Sequence, residues 1–222
     1  MPFKLDIMTA TPNQLAEILT ARILGGDIAS GDKLLEAVLA SDLGVSRNTL
    51  RETFRMLARD GLVEHIPHRG VFVKVLSPRE VVELFAYRRF LELGSIKFFA
   101  DCTADAQNAL VVMSKVIDVA LTAASVRDWN QVGVQNNEFH AALVGASGIP
   151  RLVDNVRLAM AHSRLAFMAV GTNENVHAPF LDRNQEILQK LRVGEFERAH
   201  ESLASYLQES EARILGEMSI GG

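Results

Sequence analysis

Residues 39–73, LASDLGVSRNTLRETFRMLARDGLVEHIPHRGVFV, decide the fold of this chain. Residues 35–43 read as a short helix that stops at Gly44, a residue suited to the left-handed turn that follows a helix. Ser46 is a good N-cap for a second helix over 47–60, which ends at Asp60-Gly61. In that helix Leu50, Phe54 and Leu57 recur at three-to-four spacing and face inward, whereas Arg47, Arg51 and Arg55 recur every four residues on another face. LVEHI and VFVKVL then read as two short strands joined by the turn PHRG. Upstream, residues 11–25 carry Leu15, Ile18, Leu19 and Ile23 at helical spacing, and GDIASGDKL reads as a loop.

Helix, three-residue turn, helix and wing make a winged helix-turn-helix. In such a unit the first residues of the second helix meet base edges, while arginines reach guanine edges or phosphates. Arg47, Asn48, Thr49, Arg51 and Arg55 supply that face, and His68, Arg69 and Gly70 supply a wing tip able to approach a phosphate or a minor groove. A solvated arginine stripe on an amphipathic helix is the bland alternative. It explains neither the turn nor the wing.

The totals agree with a folded regulator and exclude several other classes. At 222 residues and 48% hydrophobic the chain can bury a sizeable core. Its single cysteine, Cys102, excludes an internal disulfide and a thiolate metal cluster. The start lacks the basic and apolar pattern of a signal peptide, and no stretch is expected to match the length of a membrane span, so a cytoplasmic chain without membrane contact is expected. The net charge of −4 argues against indiscriminate nucleic-acid binding. Residues 1–75 hold nine basic and nine acidic residues, so the acidic excess lies in the second part. Neither a G-x-S-x-G elbow, a P-loop nor a dinucleotide fingerprint is present, and no enzyme is expected.

From residue 78 the pattern is helical throughout, over segments near 79–101, 103–124, 127–146, 150–170, 177–193 and 195–218. Breaks fall at 148–150, at Gly171-Thr172-Asn173 and at Gly194. The fold class is therefore mainly α: a winged helix-turn-helix over 1–76, then an antiparallel bundle of six or seven helices over 77–222. Ser77 caps the first bundle helix, with Pro78 at its first position.

LASDLGVSRNTLRE, LARDGLV and HRGVFV together resemble the DNA-binding domain of the GntR family of bacterial transcription regulators, over roughly residues 12–75. That resemblance implies DNA contact through Arg47, Asn48, Thr49 and Arg51, with the wing at 68–70. Asn48 stands where a threonine is common and Ala37 where some members carry an arginine, so the base read and one backbone contact differ here.

YRRFLE (87–92), NNEFHAALVGASGIPRL (136–152) and RNQEILQKLRVGEFERAHESLASYL (183–207) resemble the FCD subfamily. The resemblance implies a homodimer that reads a pseudo-palindromic operator and binds a small effector, often a carboxylate, inside the bundle. Many members hold a divalent metal there with an Asp, a His four residues on, and two more His. The matching positions are Asn136, His140, Asn184 and Tyr206, so one of four is retained. No metal cofactor is expected, Asn136 and His140 being the residual candidates. These four residues, with Arg88 and Arg164 as anion-holding guanidinium groups, form the candidate ligand site.

The bland reading of the four is a polar cluster that satisfies itself, and that of each arginine is an interhelical salt bridge to a glutamate. His162 and His177 are candidates for the cavity rim. Glu197 and His200 make a lone E-x-x-H pair, short of the repeated motif a di-iron bundle needs. The function read here is a dimeric, metabolite-controlled transcription regulator, a repressor in the simplest case. The alternatives are a helical part that only dimerises and one that still holds a divalent ion.

Overall fold

The computed structural model describes residues 10–171 and 174–220. It divides into two compact units, with the boundary between Val75 and Leu76.

The first unit holds α1 (Pro12–Leu24), β1 (Lys33–Leu34), α2 (Glu36–Asp42), α3 (Arg47–Arg59), β2 (Val63–Ile66) and β3 (Gly70–Val73). Thr11 and Gln14 form a reciprocal capping box that starts α1 ahead of Pro12. The Ser46 hydroxyl accepts from Thr49 N–H at 3.0 Å and starts α3 where the sequence places it. Gly44, at φ +62°, makes the turn between α2 and α3 at no Cβ cost. Leu15, Leu19 and Ile23 of α1 are buried with Leu50, Phe54 and Leu57 of α3, so the apolar stripe of α3 does face inward.

The wing differs from its sequence reading. It is a three-stranded antiparallel sheet in the order β1-β3-β2, with Lys33 opposite Phe72 and Leu34 opposite Val71. GDIASGDKL is thus not all loop. Two residues are too few for the alternation that marks a strand, and their pairing depends on β3, about forty residues away.

The second unit holds α4 (Pro78–Ser95), α5 (Lys97–Ala100), α6 (Ala104–Ser125), α7 (Trp129–Gly145), α8 (Pro150–Val170), α9 (Glu174–Arg192) and α10 (Phe196–Ile220). Ser77 and Glu80 close a capping box on α4, with Pro78 at its first position. The segment read as one helix over 79–101 is two, because the helix ends at Ser95 and a short turn follows Ile96. α9 begins before residue 177 and carries Pro179 in its second turn. Of the expected break at Gly171-Thr172-Asn173, Thr172 and Asn173 lie outside the described residues.

α4 packs on α8 and α10, α7 on α6 and α8, and α9 on α6, α7 and α10. α6 corrects the expectation that no segment matches a membrane span. By length and composition it could cross one, with a mean hydropathy of 1.4 over its most apolar window. In the fold it is a bundle helix, burying Ala106, Ala109, Met113, Ile117, Ala120 and Ala123 at three-to-four spacing.

A candidate DNA-reading face and a buried polar cluster

In the first unit, Arg47, Asn48, Arg51 and Arg55 are exposed on α3, and His68 and Arg69 at the wing tip. Between them lies an open groove of about 670 Å³, lined by Lys33, Arg51, Arg55, His65, His68 and Arg69 among others. His68 adopts φ +63° in a three-residue turn, which carries Arg69 outward over the Phe72 ring at 5.5 Å. Lys33 reaches the same ring at 5.8 Å, a cation that sequence reading missed with its strand.

The face is not uniformly free. Arg51 Nε donates to Glu36 Oε2 at 2.9 Å, and Arg55 pairs with Glu52. The Thr49 hydroxyl lies 2.7 Å from Ser46 Oγ, so Thr49 helps to hold the cap.

In the second unit the four residues that the resemblance sets at metal positions do meet. Asn136 and His140 come from α7, Asn184 from α9 and Tyr206 from α10. Asn184 Nδ2 donates to Asn136 Oδ1 at 2.8 Å, and Tyr206 OH donates to the same oxygen at 2.9 Å. The His140 and Tyr206 rings lie 4.8 Å apart. Burial pushes the Tyr206 hydroxyl up to about 12, which keeps it a donor.

Glu92, absent from the candidate residues, joins this cluster to Arg88. Arg88 Nε donates to Glu92 Oε1 at 2.7 Å, and Glu92 Oε2 lies 2.6 Å from His140 Nδ1. All three side chains are buried. Arg88 and Glu92 share α4, so this pair is not the interhelical salt bridge considered from sequence. The missed signal was the four-residue spacing in YRRFLE, which puts Arg88 and Glu92 on one face. Burial alone would raise the Glu92 carboxyl, but Arg88 and His140 outweigh it and hold it down to about 2. Burial, with the Arg88 charge adding to it, lowers His140 against the pull of Glu92. The pair is therefore an Arg88–Glu92 ion pair plus a neutral imidazole donating Nδ1–H, since an ionised carboxylate can only accept.

Among the described residues, three buried side-chain atoms find no hydrogen-bond partner: Arg88 Nη2, His140 Nε2 and Asn184 Oδ1. All three belong to this cluster. Buried polar atoms are rarely left so, because each unmade bond costs about 1–3 kcal/mol. The self-satisfied reading of the cluster thus fails at these atoms.

Arg164 stands apart from them. Its Nη2 reaches Asn130 O, and its Nη1 lies 3.3 Å from His177 Nε2. Burial lowers its guanidinium to about 10, and burial with Arg164 lowers His177 to about 4. His177 lines a cavity of about 10 Å³ with Ile117, Asn136, Phe139 and Asn184.

The model of bacterial regulatory proteins of the gntR family matches residues 11–73, and that of the FCD domain matches residues 83–209. The chain belongs to the GntR family. This GntR-family regulator is 35% identical to the solved structure of a putative transcriptional regulator GntR from Rhodococcus sp. RHA1, with a TM-score of 0.87 over 92% of this chain and 97% of that one. It is 24% identical to the gluconate operon transcriptional repressor of Bacillus subtilis (strain 168), covering 86% of this chain and 80% of the relative. It is 28% identical to an uncharacterized HTH-type regulator in an unstable DNA locus of Streptomyces ambofaciens, covering 86% and 79%. The family regulates transcription by binding operator DNA and is not a family of enzymes.

Proposed function

We propose that this GntR-family chain is a metabolite-controlled repressor whose effector, a carboxylate, binds at the Arg88–His140–Asn184 cluster. The observation that carries the reading is the trio of unpaired atoms in one buried cluster. Arg88 Nη2 is a charged donor that a carboxylate oxygen would satisfy. Repression is supported by the names of relatives such as the gluconate operon repressor. As a homodimer in the cytoplasm it would present two α3 helices to a pseudo-palindromic operator. Arg47, Asn48, Thr49, Arg51 and Arg55, with the wing at 68–70, would make the contacts.

The cluster does not fit a divalent metal. Asn136 Oδ1 already accepts two hydrogen bonds, Asn184 presents its NH₂ group to that oxygen, and Glu92 is tied to Arg88 and His140. His140 Nε2 is the remaining nitrogen ligand, and no group of three or more His, Cys, Asp or Glu suited to an ion occurs among the described residues.

The neighbouring cavity holds about one water, so an effector would have to part the surrounding side chains. Binding energy would then shift the population of bundle states, which is what a sensor needs.

Thermal shift of the full chain against simple carboxylates, hydroxy acids and purines tests this reading. Stabilisation by a carboxylate supports it. No stabilisation by any compound would favour a bundle that only dimerises.

A further inference from the structure

Resting on the reading that α3 faces operator DNA, we propose that Glu36 is a positioning residue for base recognition. It holds Arg51 so that the end-on fork of the guanidinium, Nη1 with Nη2, meets one guanine of the operator. The inference comes from which nitrogen of each arginine on this face of α3 is already engaged.

Glu36 is the first residue of α2, and Arg51 stands in the second turn of α3. Arg51 Nε donates to Glu36 Oε2 at 2.9 Å, while its Nη1 and Nη2 have no partner among the described residues. Arg55 differs. Its Nη1 goes to Glu52, one turn back on the same helix, so its end-on fork is half spent. Arg47 has no ion pair among the described residues, which leaves its guanidinium free to follow a phosphate. Of the three, Arg51 alone combines a held guanidinium with two unspent donors at its outer end.

An arginine side chain turns about every bond of its stem. An acceptor on Nε removes that freedom at the guanidinium end and leaves two parallel N–H groups, the pair that guanine takes at O6 and N7. Freedom given up before DNA arrives is not lost again on binding. Stability does not explain the pair: with the side chains 60% and 30% exposed, such an ion pair contributes little to folding. Nor does general attraction to DNA explain it, because Glu36 lines the same groove as Arg51 and its carboxylate repels phosphates. A negative charge kept on this face has a use if it sharpens base choice at the expense of indiscriminate affinity.

The experiment is fluorescence anisotropy of the chain with an operator selected from a random duplex pool, each guanine replaced in turn by a deazaguanine that lacks the N7 acceptor. In the wild type at least one replacement is expected to weaken binding roughly tenfold, and in Arg51→Ala that penalty should vanish. Glu36→Ala should lose most of the same penalty while binding an unrelated duplex more tightly, since a negative charge is gone. Glu36→Gln removes the same charge but keeps an oxygen that accepts from Nε. It should share the gain on the unrelated duplex and retain more of the penalty than Glu36→Ala. Should Glu36→Ala not fold, Glu36→Gln is compared with the wild type in the same way. A wild-type penalty in the Glu36 variants, with equal gains on operator and unrelated duplex, would overturn the inference and leave Arg51 as a base reader. If no guanine penalty depends on Arg51, the inference falls together with the docking of α3 on which it rests.

Discussion

Glu92 on α4 and His140 on α7 meet across the bundle through a buried hydrogen bond of 2.6 Å. This contact gives the imidazole's Nδ1 hydrogen an acceptor and leaves its buried Nε2 without a partner. It also binds a charged pair on one helix to a neutral group on another, so the cluster is part of the bundle's stability as well as its candidate sensor.

Removing the shared carboxylate should be expensive. Glu92→Gln leaves the buried Arg88 without its counter-charge, and a loss of about 3–5 kcal/mol is expected in urea denaturation. Glu211→Gln breaks the more exposed pair with Arg89 and should cost about 1 kcal/mol or less. Equal losses would show that the Glu92 cluster is not a buried charged unit.

Acid should unfold the bundle in two stages. His177 lies at about 4 in the fold against an ordinary value of 6.5, and His140 is lowered as well. The unfolded chain therefore takes up protons first, so stability falls as pH drops from about 6.5 towards 4. Glu92, held at about 2, contributes stability that is intact above about 4.5 and lost as pH falls towards 2. Denaturation midpoints across pH 7.5 to 2.5 should trace both declines. His177→Gln should shrink the first, leaving the part due to His140, and leave the second.

Gly133 is fixed by packing. A Cβ there would lie 2.9 Å from Arg164 Cζ and 3.1 Å from His177 Cε1, both inside ordinary contact. Gly133→Ala should displace the Arg164 guanidinium from Asn130 and cost about 1–3 kcal/mol, read as a lower urea midpoint. An unchanged midpoint would mean that the guanidinium can move aside freely.

On the DNA side, Arg47→Ala and Arg51→Ala should each weaken operator binding by about 1–3 kcal/mol if the residue reads a base. Both are exposed, so neither should move stability by more than about 0.5 kcal/mol. Fluorescence anisotropy with an operator chosen from a random duplex pool gives the affinities. If both variants bind like the wild type, α3 does not read the DNA in the proposed orientation.

The head was legible because its signals are local. Ser46, Gly44 and the Leu50–Phe54–Leu57 stripe each act within one or two turns of chain, and the helix they specify is present. β1 was not legible, because two residues pair with a strand far along the chain. In the bundle, the meeting of Asn136, His140, Asn184 and Tyr206 followed from family resemblance, since nothing in the spacing brings three helices together. Glu92 escaped notice for a related reason. In sequence it is one acid among many on a helix, and its burial with Arg88 and His140 depends on how α4, α7 and α8 pack. Arg164 was grouped with the cluster as a buried cation, but it follows Ser163 directly and points to Asn130 and His177 instead.

In the proposed function the Arg88–His140–Asn184 cluster senses a ligand and passes the result to DNA. The most direct measurement is operator affinity of the chain, by anisotropy, while the carboxylate that stabilises it most in thermal shift is titrated in. The wild type is expected to change its operator affinity at least roughly tenfold, a coupling of about 1.4 kcal/mol. Arg88→Lys, which keeps a charge beside Glu92 but loses the spare Nη2 arm, should lose most of that response while still binding operator. An operator affinity indifferent to saturating ligand, or a full response in Arg88→Lys, would contradict the account.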